Sequence, residues 1–389
     1  MINVFQPSLG EAERAAVGEV FAGNWLGHGP RTGRFEAEFA DHVGVPAEQM
    51  IFINSCTAGL FLAVEALGLG PGDDVVLPSV SFVGAGNAVC AVGARPVFCD
   101  VDERTLNPTV ADVARALTPD TRAVVLLHYG GRPGEVAGIA ALCRERGVTL
   151  VEDAACAVAS TVDGAACGTF GDIGVWSFDA MKILVTGDGG MFWARDPDLA
   201  ARARRMAYHG LARMSGYGAA AAVSRRWWEL DVREYGRRIV GNDVTAAIGR
   251  VQLRRLPGFV ARRREIAADY DRLLRDVEGV RLPPPLPPGH TGSYYFHWVQ
   301  LEPGVRDHVA ADLKDRGIYT TFRYAPLHRV AAFRGRAAPV GALPGAERAA
   351  EGTLLLPLHQ GLSDADVCRV ADELRSAVRR RRARRPAVV

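Results

Sequence analysis

Lysine is nearly absent from this chain. Of 46 lysine plus arginine residues in 389, only Lys182 and Lys314 are lysine. A chain that uses arginine almost everywhere keeps lysine where arginine cannot serve. A neutral amine attacks a carbonyl to form a Schiff base, whereas a guanidinium, charged at every accessible pH, does not. Lys314 lies in Asp312-Leu313-Lys314-Asp315-Arg316, a solvated helix face by its pattern. Lys182 follows Ser177-Phe178-Asp179-Ala180-Met181 and precedes Thr186-Gly187-Asp188-Gly189-Gly190, a setting that marks it as a candidate nucleophile.

Other absences narrow the field. No apolar run approaches the length of a membrane span. The N-terminus has no basic stretch followed by an apolar one, so the cytoplasm is the expected location. Seven cysteines, an odd number with no CxxC spacing, argue against a disulfide framework or a zinc site. No metal site is expected. There is neither a Walker loop nor a GxGxxG fingerprint after a strand. A net charge of +2 leaves no general case for nucleic acid or membranes as partners.

What is present is alternation. Asp74–Pro78, Arg95–Asp100, Ala123–Leu127 and Thr149–Asp153 read as strands. Helical patterns over Phe61–Leu69, Ser81–Val92, Thr109–Leu117 and Gly134–Arg146 lie around and between them. This predicts an α/β fold with a mainly parallel sheet flanked by helices, whose ligands bind at the carboxyl ends of the strands. A helix from about Asp243 to Asp276 leads to the proline-rich break Pro283–Gly289. Beyond it come an aromatic strand Tyr294–Leu301, a helix Asp307–Arg316, a strand-like stretch Ile318–Arg323 and a last helix from Ser363. The expected division is a large domain over 1–245 and a smaller α+β domain over 246–389. The arginine tail from Arg379 to Arg385 reads as a solvated helix end, with phosphate contact as the alternative.

Three local patterns carry chemistry. Asn54-Ser55-Cys56-Thr57-Ala58-Gly59 opens a helix after the apolar Met50–Ile53, which makes either an anion site or a plain N-cap. Asp153 ends a buried strand and needs a partner: a protonated ring nitrogen, a helix start or a salt bridge. The glycines after Lys182 permit a tight turn and close backbone approach.

In order, these pieces resemble the DegT/DnrJ/EryC1/StrS family of sugar aminotransferases, enzymes of pyridoxal-phosphate fold type I. The resemblance runs through Gly23-Asn24-Trp25-Leu26-Gly27-His28-Gly29, Ser55–Leu60, Pro78-Ser79-Val80-Ser81-Phe82, Glu152–Ala155, Gly171–Gly190, Gly241-Asn242-Asp243, Tyr324-Ala325-Pro326-Leu327-His328 and Leu356-Pro357-Leu358. It implies that Lys182 holds pyridoxal 5′-phosphate through a Schiff base and, once displaced, moves the substrate proton. Asp153 would keep the pyridine nitrogen protonated, and Phe82 would stack on the ring. Cys56, Thr57 and Ser177 would hold the phosphate, helped by Asn242 from a neighbouring subunit, so a homodimer with shared sites is expected. Trp25, His28, Tyr324 and His328 are the expected substrate contacts. Phe82 could instead be core and His328 structural. Trp227 and Trp228, flanked by Arg225 and Arg226, could line the cleft or pack an interface.

Cys156 stands where the family usually has Gln or His near the ring's 3′ oxygen, and it is a poor hydrogen-bond donor. Ile183 replaces an Asn that often follows the lysine. The resemblance implies glutamate as amino donor, the aminated cofactor (pyridoxamine phosphate) as carrier and a nucleotide-linked keto sugar as acceptor. A dTDP-4-keto-6-deoxyhexose aminated at C4 is expected first, C3 amination second. Family members that dehydrate or deoxygenate carry histidine at the lysine position, so Lys182 counts against that activity. A non-catalytic regulator would need a DNA-binding module, and no helix-turn-helix pattern precedes residue 50.

Overall fold

The computed structural model describes residues 1–212, 226, 228–338 and 341–383. Nine strands form in the first half: β1 Met50–Ile53, β2 Asp74–Pro78, β3 Arg95–Cys99, β4 Thr121–Leu127, β5 Thr149–Asp153, the short β6 Thr161–Val162 and β7 Ala165–Ala166, β8 Ile173–Ser177 and β9 Gly190–Ala194. Seven of them make one sheet in the order β1-β9-β8-β5-β4-β2-β3, in which β9 alone runs against the rest. Every residue of β1, β2, β8 and β9 is buried, as expected of strands covered on both faces.

The crossovers are helices that begin and end on recognisable signals. Cys56–Ala66 is capped by Ser55, whose hydroxyl accepts from the Ala58 N–H at 3.1 Å. Val110–Ala116 starts in a reciprocal pair: Thr109 accepts from the Asp112 N–H and Asp112 accepts from the Thr109 N–H. Val136–Arg146 ends at Gly147 with φ 64°, a left-handed cap that suits glycine.

The C-terminal part holds a second, antiparallel sheet of β10 Val280–Arg281, β12 His297–Leu301 and β13 Thr353–Leu356. A small third sheet joins β11 His290–Thr291 to β6 and β7. A 32-residue helix, Asp243–Leu274, links the two parts. Its Ala246, Leu256 and Phe259 belong to the large core, and its Ile266, Tyr270 and Leu274 to the smaller one. Ile2 also enters the smaller core, with its N–H bonded to the Gly317 carbonyl at 2.8 Å.

Two expected strands changed. The aromatic strand begins at His297, because Tyr294 takes φ 52° and the N–H groups of Tyr295 and Phe296 both turn to the Gly130 carbonyl. Ile318–Arg323 forms no strand; it makes single bridges, Ile318 to Ile2 and Thr321 to Leu355. In the C-terminal helix Asp364–Ala383, Arg380 and Arg381 of the arginine tail pair with Asp312; Arg384 and Arg385 lie outside the described residues.

Candidate active site

The sheet brings the predicted residues to one rim. Ile53 at the end of β1 and Ser177 at the end of β8 both lie opposite Gly190, the first residue of antiparallel β9. The turns that follow β1, β5 and β8 therefore meet. Between them is a cavity of about 190 Å³, lined among others by Cys56, Thr57, Phe82, Asp153, Ser177 and Lys182.

Lys182 arrives on a tight excursion after β8. Its N–H bonds the Asp179 carbonyl at 2.9 Å, and the Thr186 N–H returns to the Phe178 carbonyl at 2.9 Å. Ile183, Leu184 and Val185 are buried and anchor the turn, which explains an apolar residue at 183. The Lys182 Nζ lies 3.9 Å from Cys156 Sγ and 4.5 Å from the centroid of the Tyr295 ring. Burial opposes its charge, while Cys156, Tyr295, Tyr324 and Cys56 favour it.

Asp153 is 1 % exposed. Its Oδ1 accepts from the Ala155 N–H at 3.1 Å and the Cys56 thiol at 3.8 Å, while Oδ2 has no hydrogen-bond donor among the described residues. Burial pushes its carboxyl above the usual range; the Ala155 N–H and the charges of Lys182 and His128 pull the other way. Behind it, His128 Nε2 lies 2.8 Å from Glu152 Oε2 and its Nδ1 3.2 Å from the Pro133 carbonyl. An acceptor at each nitrogen favours the doubly protonated ring. Burial opposes that charge, but Cys167 and Glu152 hold the pKa well above its ordinary value. Glu152 accepts three further bonds from the N–H groups of Gly168, Phe170 and Gly171.

At the opposite wall the helix Cys56–Ala66 begins. The N–H groups of Cys56 and Thr57, among the first four that a helix leaves unpaired, find no acceptor among the described residues. Gly190 must be glycine: a Cβ there would stand 2.6 Å from the Trp176 carbonyl and 2.7 Å from the Cys56 nitrogen. Phe82 is 41 % exposed, with its ring 5.5 Å from that of Tyr324 and tilted to it by 60°. An amine, an under-satisfied carboxylate, free helix N–H groups and an uncovered aromatic face fit a flat, phosphate-bearing pyridine aldehyde.

Not every expected residue comes here. Cys156 and Tyr324 do, the first beside Lys182 and the second in the lining. Trp25, His28 and Asn242 cluster elsewhere. After Val240 pairs with Ile53 the chain runs antiparallel to β1, which carries Asn242 away from the cavity end. The Asn242 carboxamide oxygen instead caps its own helix, accepting from the Thr245 N–H at 3.0 Å. The Trp25 indole N–H donates to the His28 carbonyl at 3.0 Å, and the His28 Nδ1 is buried without a partner among the described residues. Burial and then Arg204 hold the His28 pKa below its ordinary value. His328 is tied down structurally, between Ser79 at 2.6 Å and Glu347 at 2.6 Å. Trp228 is exposed, and Arg225 and Trp227 lie outside the described residues.

Sequence reasoning missed Tyr295 and Arg323. Tyr295 is 1 % exposed, and its hydroxyl has no partner among the described residues. It is placed by Arg263, a fully buried guanidinium that donates to the carbonyls of Tyr294 at 3.1 Å and Leu358 at 3.0 Å and to Gln360 at 3.0 Å. Burial lowers the Arg263 pKa to about 10. An arginine on the apolar stripe of the long helix was the available signal.

Comparison with known proteins agrees with this geometry. The pattern of the DegT/DnrJ/EryC1/StrS aminotransferase family matches residues 7–375. The chain is 64 % identical over 378 residues to the dTDP-4-dehydro-2,3,6-trideoxy-D-glucose 4-aminotransferase of Saccharopolyspora spinosa, covering 97 % of each chain. It is also similar to the crystal structure of the aminotransferase TlmJ from Streptoalloteichus hindustanus, with a TM-score of 0.92, 64 % identity and coverage of 98 % and 99 %. The fold is shared with the putative sugar aminotransferase Spr1654 from Streptococcus pneumoniae in its PMP form, with a TM-score of 0.90, 24 % identity and coverage of 98 % and 100 %. The chain belongs to the DegT/DnrJ/EryC1/StrS aminotransferase family.

Proposed function

We propose that this protein moves an amino group from L-glutamate to C4 of a dTDP-linked 4-keto-deoxyhexose, using pyridoxal 5′-phosphate, as a cytoplasmic homodimer. The observation that carries the reading is the 64 % identity, across 97 % of both chains, to an enzyme whose name specifies a dTDP-4-keto sugar and position 4. The chemistry of the cavity supports it. Among the described residues no helix is long and apolar enough to cross a membrane.

Bound in this cavity, the cofactor would supply an electron sink and a temporary carrier for the amine. The residues have distinct tasks. The Lys182 Nζ would hold the cofactor covalently and, once displaced, would take the proton from the donor's Cα and pass it to the cofactor, so that the amine stays behind. Asp153 would hold a proton on the ring nitrogen, a role suited to its Oδ2, which meets no donor among the described residues. The N–H groups of Cys56 and Thr57, with the hydroxyls of Thr57 and Ser177, bind the phosphate at the helix start. Phe82 covers one ring face. Cys156 offers the 3′ oxygen only a weak donor, so Tyr324, which lines the same cavity, is the stronger candidate for that contact.

The test is optical and chemical. Purified protein supplied with pyridoxal phosphate should be yellow, bleach with glutamate and recover its colour with a dTDP-4-keto sugar. NMR of the product should place nitrogen at C4. Lys182→Arg should neither acquire the protein-bound colour nor turn over. A protein that takes up no cofactor, or a C3-amino product, would overturn the reading.

A further inference from the structure

Glutamate brings two carboxylates to a cavity whose rim already includes Asp179 and Asp188. Something must offset that charge. Among the lining residues only Lys182 and Arg323 are cationic, and Lys182 is committed to the cofactor in the reading above.

Arg323 is poised for an anion. Many arginines of this chain are paired with acids, as Arg95 is with Asp74, Arg250 with Glu38 and Arg255 with Glu13. Arg323 makes no ion pair with a described acidic residue. Among the described residues its Nη2 meets only the Met181 thioether sulfur, at 3.3 Å, a weak acceptor. Its guanidinium carbon lies 4.7 Å from the centroid of the Phe5 ring. Contact with an aromatic face supports a guanidinium while leaving its edge N–H groups free for a planar, two-oxygen acceptor. The position is fixed from the main chain, since the Tyr129 hydroxyl donates to the Arg323 carbonyl. Met181, which it touches, is the residue before Lys182.

We propose that Arg323 binds a carboxylate of the amino donor and is thereby a specificity-determining residue for the donor half of the reaction. This rests on the aminotransferase reading. A carboxylate and the sugar nucleotide's diphosphate share the chemistry of paired anionic oxygens. The carboxylate is favoured because it is one bond from the carbon that gives up nitrogen, and so must lie close to Lys182. The diphosphate is separated from C4 by the sugar ring.

Ping-pong kinetics allow the two sources to be distinguished. Cofactor-loaded wild type, Arg323→Gln and Arg323→Lys are mixed with glutamate and followed by absorbance. The same proteins, loaded instead with pyridoxamine phosphate, are mixed with the keto sugar. Arg323→Gln should lower kcat/KM for glutamate by roughly 10- to 100-fold, the size expected for lost hydrogen bonds to a charged group, with Arg323→Lys intermediate. The keto-sugar half should stay within about twofold of wild type. Calorimetric binding of glutarate, an unreactive dicarboxylate, should weaken in parallel. An equal loss in both halves, a loss confined to the sugar half, or unchanged glutamate kinetics would each overturn the assignment. Failure of the proposed function is distinguishable from it: wild type would then bind glutarate through Arg323 yet not react with glutamate.

Discussion

Asp153 is a carboxylate in a place that disfavours carboxylates. Burial raises its folded pKa above the unfolded value. Such a group adds stability that is fully present below its unfolded pKa and is lost as pH rises through the folded one. At pH 7 the ionised side chain therefore weighs against the cofactor-free fold. Asp153→Asn should leave the cofactor-free protein at least as resistant to urea as wild type at pH 7, and that advantage should shrink as the pH falls toward the carboxylate range. Amine transfer should meanwhile fall by roughly 10²-fold or more, the scale of a lost electrostatic stabiliser. Paired urea and half-reaction measurements would show it. A variant less stable than wild type at pH 7 would mean that the Ala155 bond outweighs the desolvation cost. The sequence made Asp153 and Lys182 visible because both are rare for their setting, one of only two lysines and an acid ending an apolar strand. Tyr295 was not visible, because its place depends on Arg263, over thirty residues earlier, and on Leu358, over sixty later.

The helix Cys56–Ala66 is held against the sheet by one missing methyl group. A Cβ on Gly59 would stand 2.6 Å from Ile53 Cδ1 and 2.6 Å from Val175 Cγ1. Both side chains belong to fully buried strands that have little room to yield. Gly59→Ala should cost about 1–3 kcal/mol through overpacking and move the helix start, so the denaturation midpoint and the affinity for pyridoxal phosphate should fall together. A stable variant with unchanged affinity would show that the helix tolerates the shift. At this scale much was legible. Asp74–Pro78 and Thr149–Asp153 appear with the expected bounds, since local apolar runs suffice to mark buried strands. Ile318–Arg323 misled because a strand needs a partner, and its neighbours come from residue 2 and residue 355. The expected boundary at 245/246 falls near the start of the helix Asp243–Leu274. We propose that the two parts divide further along it, between Phe259 and Ile266, where its contacts pass from one core to the other.

In one chain the constellation expected from the sequence is split. Lys182 and Asp153 share a cavity, while Asn242, Trp25 and His28 sit together behind the end of β1. Beside the second group, Phe21, Trp25 and Leu26 of the same stretch of chain expose apolar surface. A second copy that buries this face would give the isologous dimer proposed above, with each cavity completed by the other chain's Asn242. Complementation tests this directly. Lys182→Arg removes the amine. Asn242→Asp keeps a good N-cap on the helix but sets a negative charge against the phosphate. Each variant alone should be close to inactive. Unfolded and refolded together in equal amounts, half of the dimers should be mixed. Each mixed dimer places both lesions in one site and leaves the other intact, so about a quarter of wild-type activity should return. If each site were built from one chain, every site in the mixture would carry a lesion and no activity would appear. Sedimentation of the refolded mixture as a dimer would exclude failed assembly as the cause of a blank result.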